Sequence, residues 1–387
     1  MNDVRIGLVG YGNIGISHAG YLAKGEVPGA RLVAVCDSHP DSLKRAGADL
    51  GEGVRLFDDP EKLFASGQIN AVLIATPHYD HPPLAIKAFR RGFHVLIEKP
   101  AGVYTKSVRE MNRVAAESGK IFGIMFNQRT RPVYQELKAL IDSGELGEIK
   151  RTNWITTAWY RPQSYYDSGG WRATWAGEGG GVLINQCPHQ LDLWQWVCGM
   201  PVRVRAFCAF GKYHTIEVED DVTAYVEYPN GATGVFIAST EEAPGSNRLE
   251  IVGDRGKIVV EEGKLVFWQN RVSERQFNRE FRGGFGMPEC EKRDIAVPKE
   301  AGEHKGITQN WVAAILEGKP LLAKGEEGLN SLELSNAMLL STWIDDWVKL
   351  PIDDDLFYKR LTEKIEGSTF RKKTGPAGKP LDVKGTF

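Results

Sequence analysis

A glycine-rich turn near the start of the chain constrains the fold more than any other feature. It joins an apolar strand-like segment (5–10) to a segment with helical spacing (14–24). In such a turn the first glycine permits a tight bend, the second lets the backbone approach a pyrophosphate, and the third lets helix and strand pack closely. The six residues of the turn are Gly10, Tyr11, Gly12, Asn13, Ile14 and Gly15. The turn predicts a dinucleotide whose phosphates face the free N–H groups at the start of the helix.

Strand-like and helix-like segments then alternate as far as residue 126. The strand-like segments are 31–37, 71–75, 94–97 and 121–126, and the helical ones are 39–49, 83–91 and 108–118. This order predicts a doubly wound parallel sheet, the Rossmann architecture, with right-handed crossovers. Ligands of such sheets lie beyond the carboxyl ends of the strands, so we look there for chemistry.

The second predicted strand ends in Asp37, about 20 residues beyond the glycine turn, where an acidic residue binds the ribose hydroxyls of a dinucleotide. A carboxylate there would repel a 2′-phosphate, which favours NAD over NADP. Ser38, His39, Lys44 and Arg45 lie close enough in sequence to leave dual use open.

The strand at 94–97 runs directly into Glu98, Lys99 and Pro100. Two charged groups at the carboxyl end of a buried strand are costly to desolvate without a function. We predict that Lys99 donates to, or exchanges a proton with, a substrate hydroxyl. The alternative is a surface Glu–Lys ion pair.

A second group of polar and aromatic residues follows the point, near residue 127, where the alternation stops. Three glycines (179–181) precede an apolar segment, 183–197, with helical spacing. Asn185, His189 and Asp192 would share one face of that helix. Alternatively, His189 is a satisfied core histidine, and the aromatic cluster upstream forms a core or a subunit interface. The residues predicted to contact substrate are Lys99, Tyr160, Arg161, Trp171, Arg172, Asn185 and His189.

Short alternating segments between residues 202 and 269 predict an open, mostly antiparallel sheet. Its uncovered face predicts pairing of subunits into a homodimer or homotetramer. We therefore divide the chain into a dinucleotide-binding domain (1–126), a substrate and oligomerisation domain (127–302), helices that return to the first domain (303–350) and a C-terminal extension (351–387). From about Ser368 the extension is rich in Lys, Gly and Pro, and we expect an extended or disordered tail.

Composition excludes several other classes of protein. The formal net charge of −2 gives no reason to expect a nucleic acid or an anionic membrane as partner. No apolar run approaches the ~18 residues of a membrane span, and the first residues do not resemble a secretion signal. Five cysteines without close pairing are typical of reduced thiols in the cytoplasm. His189 and Asp192 lack an obvious third ligand, so we expect no metal.

Four motifs together resemble the glucose–fructose oxidoreductase, inositol dehydrogenase and rhizopine-catabolism (Gfo/Idh/MocA) family, over about residues 4–348. They are the turn at 10–15, Ala75-Thr76-Pro77, Glu98-Lys99-Pro100, and the three glycines followed by His189 and Asp192. The resemblance implies catalytic roles for Lys99 and His189. Many members carry Asp four residues before that histidine, where this chain has Asn185, an amide that cannot take up a proton. The cofactor contacts then expected are those of the turn together with Asp37, Ser38, Thr76, Pro77, His81, Glu98, Lys99 and Asn127.

We weigh three functions on this basis. The first is an NAD-dependent dehydrogenase that acts on a secondary alcohol of a sugar, inositol or related polyol, with His189 as proton acceptor and Lys99 as donor to the oxygen. The second is a redox-neutral glycosidase or lyase that retains NAD and needs an extra base, for which Tyr160, Tyr166 and His78 are candidates. The third is a non-catalytic NAD-binding sensor, ranked last because Lys99 and His189 are both present.

Overall fold

The computed structural model describes residues 3–372. Its N-terminal part contains a six-stranded parallel sheet in the order β3-β2-β1-β4-β5-β6. The strands are β1 (Val4–Val9), β2 (Ala30–Cys36), β3 (Arg55–Phe57), β4 (Ala71–Ile74), β5 (His94–Ile97) and β6 (Phe122–Ile124). From β1 the chain first builds the sheet toward β2 and β3 and then, from β4 onward, in the opposite direction. This architecture binds ligands at the point where the direction changes. The predicted Rossmann sheet is confirmed.

Five helices connect these strands. They are α1 (Asn13–Ala23), α2 (Pro40–Leu50), α3 (Pro60–Ala65), α4 (His81–Arg90) and α5 (Thr105–Ser118). Local chemistry sets their starts, since the side chains of His39 and Asp59 accept hydrogen bonds from the first turns of α2 and α3. Strand β4 is buried at all four positions, which explains its unbroken apolar sequence.

The second sheet has nine strands in the order β14-β13-β12-β11-β7-β10-β9-β8-β15. The strands are β7 (Ile149–Thr156), β8 (Arg203–Phe210), β9 (Glu219–Glu227), β10 (Thr233–Ser239), β11 (Asn247–Gly253), β12 (Gly256–Glu261), β13 (Lys264–Asn270), β14 (Cys290–Ile295) and β15 (Val348–Lys349). Of the pairings in this sheet, that of β7 with β10 is parallel and the others are antiparallel. A second, mostly antiparallel sheet was expected and is confirmed. The edge strands β14 and β15 were missed, because β14 is largely solvated and β15 has only two residues.

Seven further α-helices lie in the rest of the described chain. They are α6 (Pro132–Asp142), α7 (Gln163–Asp167), α8 (Pro188–Cys198), α9 (Glu274–Glu280), α10 (Glu303–Glu317), α11 (Gly328–Ile344) and α12 (Asp354–Glu366). Helix α10 packs against α1, β1 and β5 of the first sheet. Helix α11 contacts α5 on one side and β8 and α8 on the other, and the chain then adds β15 to the second sheet. The segment 303–350 therefore binds both sheets together rather than only returning to the first.

The expectation of one helix across 183–197 is wrong. A π-helical turn covers Val182–Gln186 and is capped by Cys187, and α8 begins at Pro188. Proline has no N–H and suits the first turn of a new helix, so the break falls in front of it. Asn185 and His189 consequently lie on different elements.

The C-terminal extension contains a helix that was not predicted from the sequence. Asp353 caps α12, and the buried Phe357 stacks on Trp343 at 5.4 Å between ring centroids. Beyond α12 the chain approaches the second domain, where Lys372 donates to the backbone oxygens of Gly169 and Arg172. Of the tail expected from Ser368, residues 373–387 lie outside the described residues. Among residues 3–372, no helix is both long and apolar enough to cross a membrane.

Candidate active site

A cavity of about 1030 Å³ opens at the carboxyl ends of the parallel strands. One end is lined by the glycine turn and Asp37, and the other by the loop 159–172 and the start of α8. Lys99 and His189 both line it. The cavity therefore joins the predicted dinucleotide site to the predicted substrate residues.

The glycine turn fits a dinucleotide. Gly10 has φ +98°, and a Cβ there would clash with the backbone oxygen of Ala75, so glycine is required for the turn itself. A Cβ on Gly12, in contrast, would meet nothing within 4 Å. No side chain caps α1, which leaves its first N–H groups for a phosphate.

Asp37 holds the turn as well as facing the cavity. Its Oδ2 accepts a hydrogen bond from the backbone N–H of Tyr11 (2.7 Å), and its Oδ1 accepts one from that of His39 (2.8 Å). Each carboxylate oxygen has a second lone pair, so acceptor capacity is left for the hydroxyls of a ribose.

Most of the expected cofactor residues line the cavity, and they lie in the glycine turn, at the start of α1 or just after the strands of the parallel sheet. They are Gly10, Gly12, Asn13, Ile14, Asp37, Ser38, Thr76, Pro77, Glu98 and Lys99. The Oγ1 of Thr76 is buried without a hydrogen-bond partner in the described chain, an unsatisfied group that a bound ligand would pair.

Four of the residues expected to contact the cofactor do not line the cavity. The ring nitrogens of His81 lie 2.8 Å from the backbone oxygen of Thr76 and 2.7 Å from that of Pro100, so the ring packs between two loops and its N–H can donate to either oxygen. Asn127 is buried and donates to Glu303 (2.8 Å). The other two are Tyr11, whose hydroxyl donates to Asp49, and Gly15, which packs against Gly10.

Glu98 is an anchor for the loop that carries Lys99. Its carboxylate bonds His18 Nε2 at 2.8 Å and accepts from the N–H of Lys99 at 3.0 Å. Burial acts to raise the pKa of Glu98, but the hydrogen bond and charge of His18 outweigh it and lower this pKa to about 2. The ionised Glu98 thus fixes the backbone of Lys99.

Lys99 reaches across to the second domain. Its Nζ donates to the backbone oxygen of Asn185 at 3.0 Å. Burial lowers the pKa of Lys99 below its ordinary value. An ammonium has three donors, so two remain for other acceptors in the cavity.

His189 is buried at the start of α8, with its ring 6.3 Å from that of Phe126. Both ring nitrogens lack a hydrogen-bond partner within the described chain. Burial, and then the charge of Lys99, lower the pKa of His189 well below its ordinary value. The imidazole is therefore neutral near pH 7 and has an unsatisfied lone pair.

The expected substrate residues of the second domain all line the cavity. Asp192, which was expected to share a helix face with Asn185 and His189, does not. Arg172 lies over Tyr165 at 4.4 Å and donates to its hydroxyl at 2.6 Å, while Arg161 lies over the same ring at 5.0 Å. Asp192 instead makes a buried bidentate ion pair with Arg129 (2.6 and 2.8 Å), which explains its polar side chain on an apolar helix.

The three candidate extra bases differ in position. Tyr160 is half exposed and lines the cavity. His78 lines it too, with Nδ1 bonded to the backbone oxygen of Glu178 (3.2 Å). Tyr166 is buried and bonds Thr240 (2.7 Å), outside the cavity lining.

Sequence reasoning missed Glu178, a fully buried carboxyl directly before the three glycines. The side-chain N–H of Asn185 and the backbone N–H of Ala173 both donate to it. The sequence does contain a signal for it, because Glu178 is a charged residue next to the three glycines (179–181). In the described part of the chain, no group of three or more His, Cys, Asp or Glu side chains is arranged to hold a metal ion.

Comparisons with known proteins agree with this architecture. Residues 4–126 match the family model described as an oxidoreductase family with an NAD-binding Rossmann fold. Residues 134–259 match the model of the GFO/IDH/MocA C-terminal domain.

Individual relatives extend the similarity over most of the chain. An inositol 2-dehydrogenase of Rubrobacter xylanophilus is 31% identical over 347 residues, covering 87% of this chain and 90% of that protein. Another, of Rhizobium meliloti, is 26% identical over 349 residues (87% and 96%). The WlbA dehydrogenase of Bordetella pertussis, solved with NADH and UDP-GlcNAcA, superposes with a TM-score of 0.76 at 28% identity, covering 91% of this chain and all of that one. The chain belongs to the Gfo/Idh/MocA family of oxidoreductases, NAD-dependent dehydrogenases that act on CH–OH groups.

Proposed function

We propose that the chain oxidises, and in reverse reduces, a secondary alcohol of a sugar, inositol or related polyol, with His189 as proton acceptor and Lys99 as donor to the reacting oxygen. The observation that carries the proposal is that one cavity is lined by the glycine turn, a neutral imidazole without a hydrogen-bond partner in the described chain, and the part-buried amino group of Lys99. Bound NAD supplies the hydride acceptor of such a reaction.

The two roles follow from the charge states of the side chains. His189 is neutral because burial lowers its pKa, so its free ring nitrogen can accept the proton of a hydroxyl. The ammonium of Lys99 is held by Asn185 and has N–H groups left to stabilise charge that develops on the oxygen. Asn185 cannot accept a proton, which leaves proton uptake to His189.

The substrate class rests on relatives and on the lining of the cavity. Relatives are named for inositol, D-glucoside and levoglucosan. Tyr160 and Trp171 offer aromatic faces, and Arg161 and Arg172 offer donors, a combination that suits a ring bearing hydroxyls. We assign NAD as the preferred cofactor, because Asp37 would meet the 2′-phosphate of NADP.

The experiment is a panel of inositols, monosaccharides and glycosides, each assayed with NAD and with NADP by absorbance of the reduced nicotinamide. We expect turnover with at least one polyol and a higher kcat/KM with NAD. Release of a cleaved product without net reduction of added NAD, from enzyme purified with the cofactor bound, would instead support the redox-neutral reaction.

A further inference from the structure

Glu178 is a buried acid that the proposed reaction does not use. Its side chain is 1% exposed, and both carboxylate oxygens have donors. The side-chain N–H of Asn185 donates to Oε1, the N–H of Ala173 donates to Oε2, and Nη1 of Arg172 lies 3.6 Å from Oε1. Burial has the largest effect on this carboxyl and raises its pKa above the ordinary value, while Arg172, Ala173 and Asn185 act to lower it.

We propose that Glu178 is a positioning residue of the active site: its carboxylate orients the Asn185 amide toward the substrate and provides the counter-charge for Lys99. This proposal rests on the proposed function, from which the roles of Lys99 and Asn185 come.

The orientation of the Asn185 amide follows from hydrogen-bond chemistry. The NH₂ group of Asn185 faces Glu178, because its N–H donates to Oε1 of that carboxyl. The amide oxygen is then directed away from Glu178, on a residue that lines the cavity. Asn185 therefore offers a hydrogen-bond acceptor to a substrate hydroxyl, beside the donors of Lys99.

The same contact fixes the catalytic lysine. The backbone oxygen of Asn185 accepts from Lys99 Nζ, so the residue held by Glu178 also holds the ammonium. The nearby charges that act on Lys99 are positive at Arg161 and Arg172 and negative at Glu98 and Glu178, and the neutral His189 lines the same cavity. Glu98 also contacts His18, and Glu178 also contacts Arg172 at 3.6 Å, so Glu178 is one of two carboxyls whose charge acts on Lys99.

The alternative is that Glu178 has only a structural role and holds the segment 163–178, which contains α7, in place. Glu217 provides a matched control, since its carboxylate also holds this segment, through the N–H of Trp175 (2.9 Å), and accepts a second hydrogen bond from Ser368 beyond α12. Glu217 bonds neither Asn185 nor Lys99 in the described chain. A purely structural role would make Glu178→Gln and Glu217→Gln behave alike.

The test compares four variants in the full chain: Glu178→Gln, Asn185→Asp, the double variant, and Glu217→Gln. Each is assayed for kcat and KM on the best polyol of the panel and for NADH affinity by fluorescence. Glu178→Gln should lower kcat by about 10- to 100-fold, the scale of a misplaced reacting group, with NADH affinity unchanged. Asn185→Asp places two carboxylates in contact and should be at least as impaired.

The double variant restores one amide and one carboxylate with their positions exchanged. Its kcat should therefore be higher than that of Asn185→Asp. Substitutions at two independent sites would instead have additive effects and show no such recovery. Glu217→Gln should keep kcat near wild type.

A second readout needs no substrate. The rate at which Lys99 is acylated is measured against pH by mass spectrometry, with the same peptide compared between variants. Loss of the Glu178 charge should lower the pKa of Lys99, so that Glu178→Gln reacts at lower pH than wild type and Glu217→Gln does not.

The proposal would be overturned if Glu178→Gln had the kcat and the pH profile of Lys99 acylation of the wild type. It would also be overturned if kcat of the double variant were no higher than that of Asn185→Asp. If wild type oxidises no polyol in the panel, the proposed function fails, and the acylation profile of Lys99 still decides whether Glu178 acts on this lysine.

Discussion

The Nζ of Lys99 lies 3.0 Å from the backbone oxygen of Asn185, to which it donates a hydrogen bond. Lys99 follows the fifth strand of the parallel sheet, and Asn185 lies in the π-helical turn of the second domain. The proposed catalytic lysine is thus positioned by both domains. A change in how they pack would move the donor relative to His189, and misplacement of a reacting group by about 1 Å can cost 10²-fold in rate.

Removal of either proposed catalytic side chain should abolish most turnover without loss of cofactor. His189→Ala and Lys99→Ala should each lower kcat by about 10²- to 10⁴-fold, the usual contribution of a general acid or base. NADH affinity should change little, because the glycine turn is untouched. Asn185→Ala should cost less than either, since its amide orients groups and carries no proton. Wild-type turnover by His189→Ala would reject the mechanism.

The pH dependence of kcat/KM for alcohol oxidation should be bell-shaped. His189 must be neutral to accept a proton, so activity is lost as pH falls through its pKa, which burial places well below the ordinary 6.5. Lys99 must be charged to donate, so activity is lost as pH rises through its pKa, which burial places below the ordinary 10.5. Lys99→Arg should remove the alkaline limb from whatever activity remains, because a guanidinium stays charged. An acidic limb centred at or above pH 6.5 would contradict the assignment.

Two glycines of the turn should respond differently to the same added methyl group. Gly10→Ala should destabilise the fold, since its Cβ would clash with the backbone oxygen of Ala75 at a positive φ. Gly12→Ala should leave thermal stability near wild type, because its Cβ meets no protein atom, yet weaken NAD where the backbone must approach the phosphates. Thermal melts and NADH titration separate the two effects. Unchanged NADH affinity in Gly12→Ala would place the pyrophosphate elsewhere.

Asp37→Ala should weaken NAD and relax discrimination against NADP. The carboxylate holds the N–H of Tyr11 and is positioned to accept from ribose hydroxyls, and hydrogen bonds to a charged group contribute about 1.5–3 kcal/mol each. Loss of one such bond corresponds to about a 10- to 100-fold rise in the Kd of NAD. The Kd of NADP, which lacks the 2′-hydroxyl, should rise less than that of NAD. A wild-type enzyme whose kcat/KM with NADP equals or exceeds that with NAD would already refute the assignment of Asp37.

Much of the fold could be predicted because local signals and global architecture agree in it. The glycine turn, the apolar run of β4 and the hairpin alternation of the second sheet each have one structural interpretation. The edge strands and α12 could not be predicted in this way. Strand β14 is largely solvated, so it lacks an apolar pattern, and α12 buries little beyond Phe357 and Leu361.

The lining of the cavity could be predicted where a side chain follows a strand end, as Lys99 does, and not where distant segments meet. His81 and Asp192 have polar groups of the right kind at the right spacing, but their partners are backbone oxygens and Arg129, which no spacing rule reveals. The break at Cys187 and the pairing of Glu178 with Asn185 depend on packing between elements. Sequence periodicity assumes one continuous helix and therefore cannot show them.

Self-association through the open face of the second sheet is the last prediction. Backbone pairing aligns one row of residues across β8, β9, β10 and β7, which contains Phe207, Thr223, Ile237 and Ile155. Phe207 and Ile155 are exposed, at 61% and 37%, and Ile237 is partly so. Three of these four side chains are apolar, and apolar side chains exposed together on a sheet face are typical of a surface that a second subunit covers.

We expect a homodimer or homotetramer by light scattering at micromolar concentration. Ile237→Asp should shift the protein toward monomer, because a subunit interface would bury its charge without a partner. Met287→Asp is the matched control, since Met287 is 81% exposed and lies outside the second sheet. A wild-type monomer, or an equal response of the two variants, would mean that this face is not the interface.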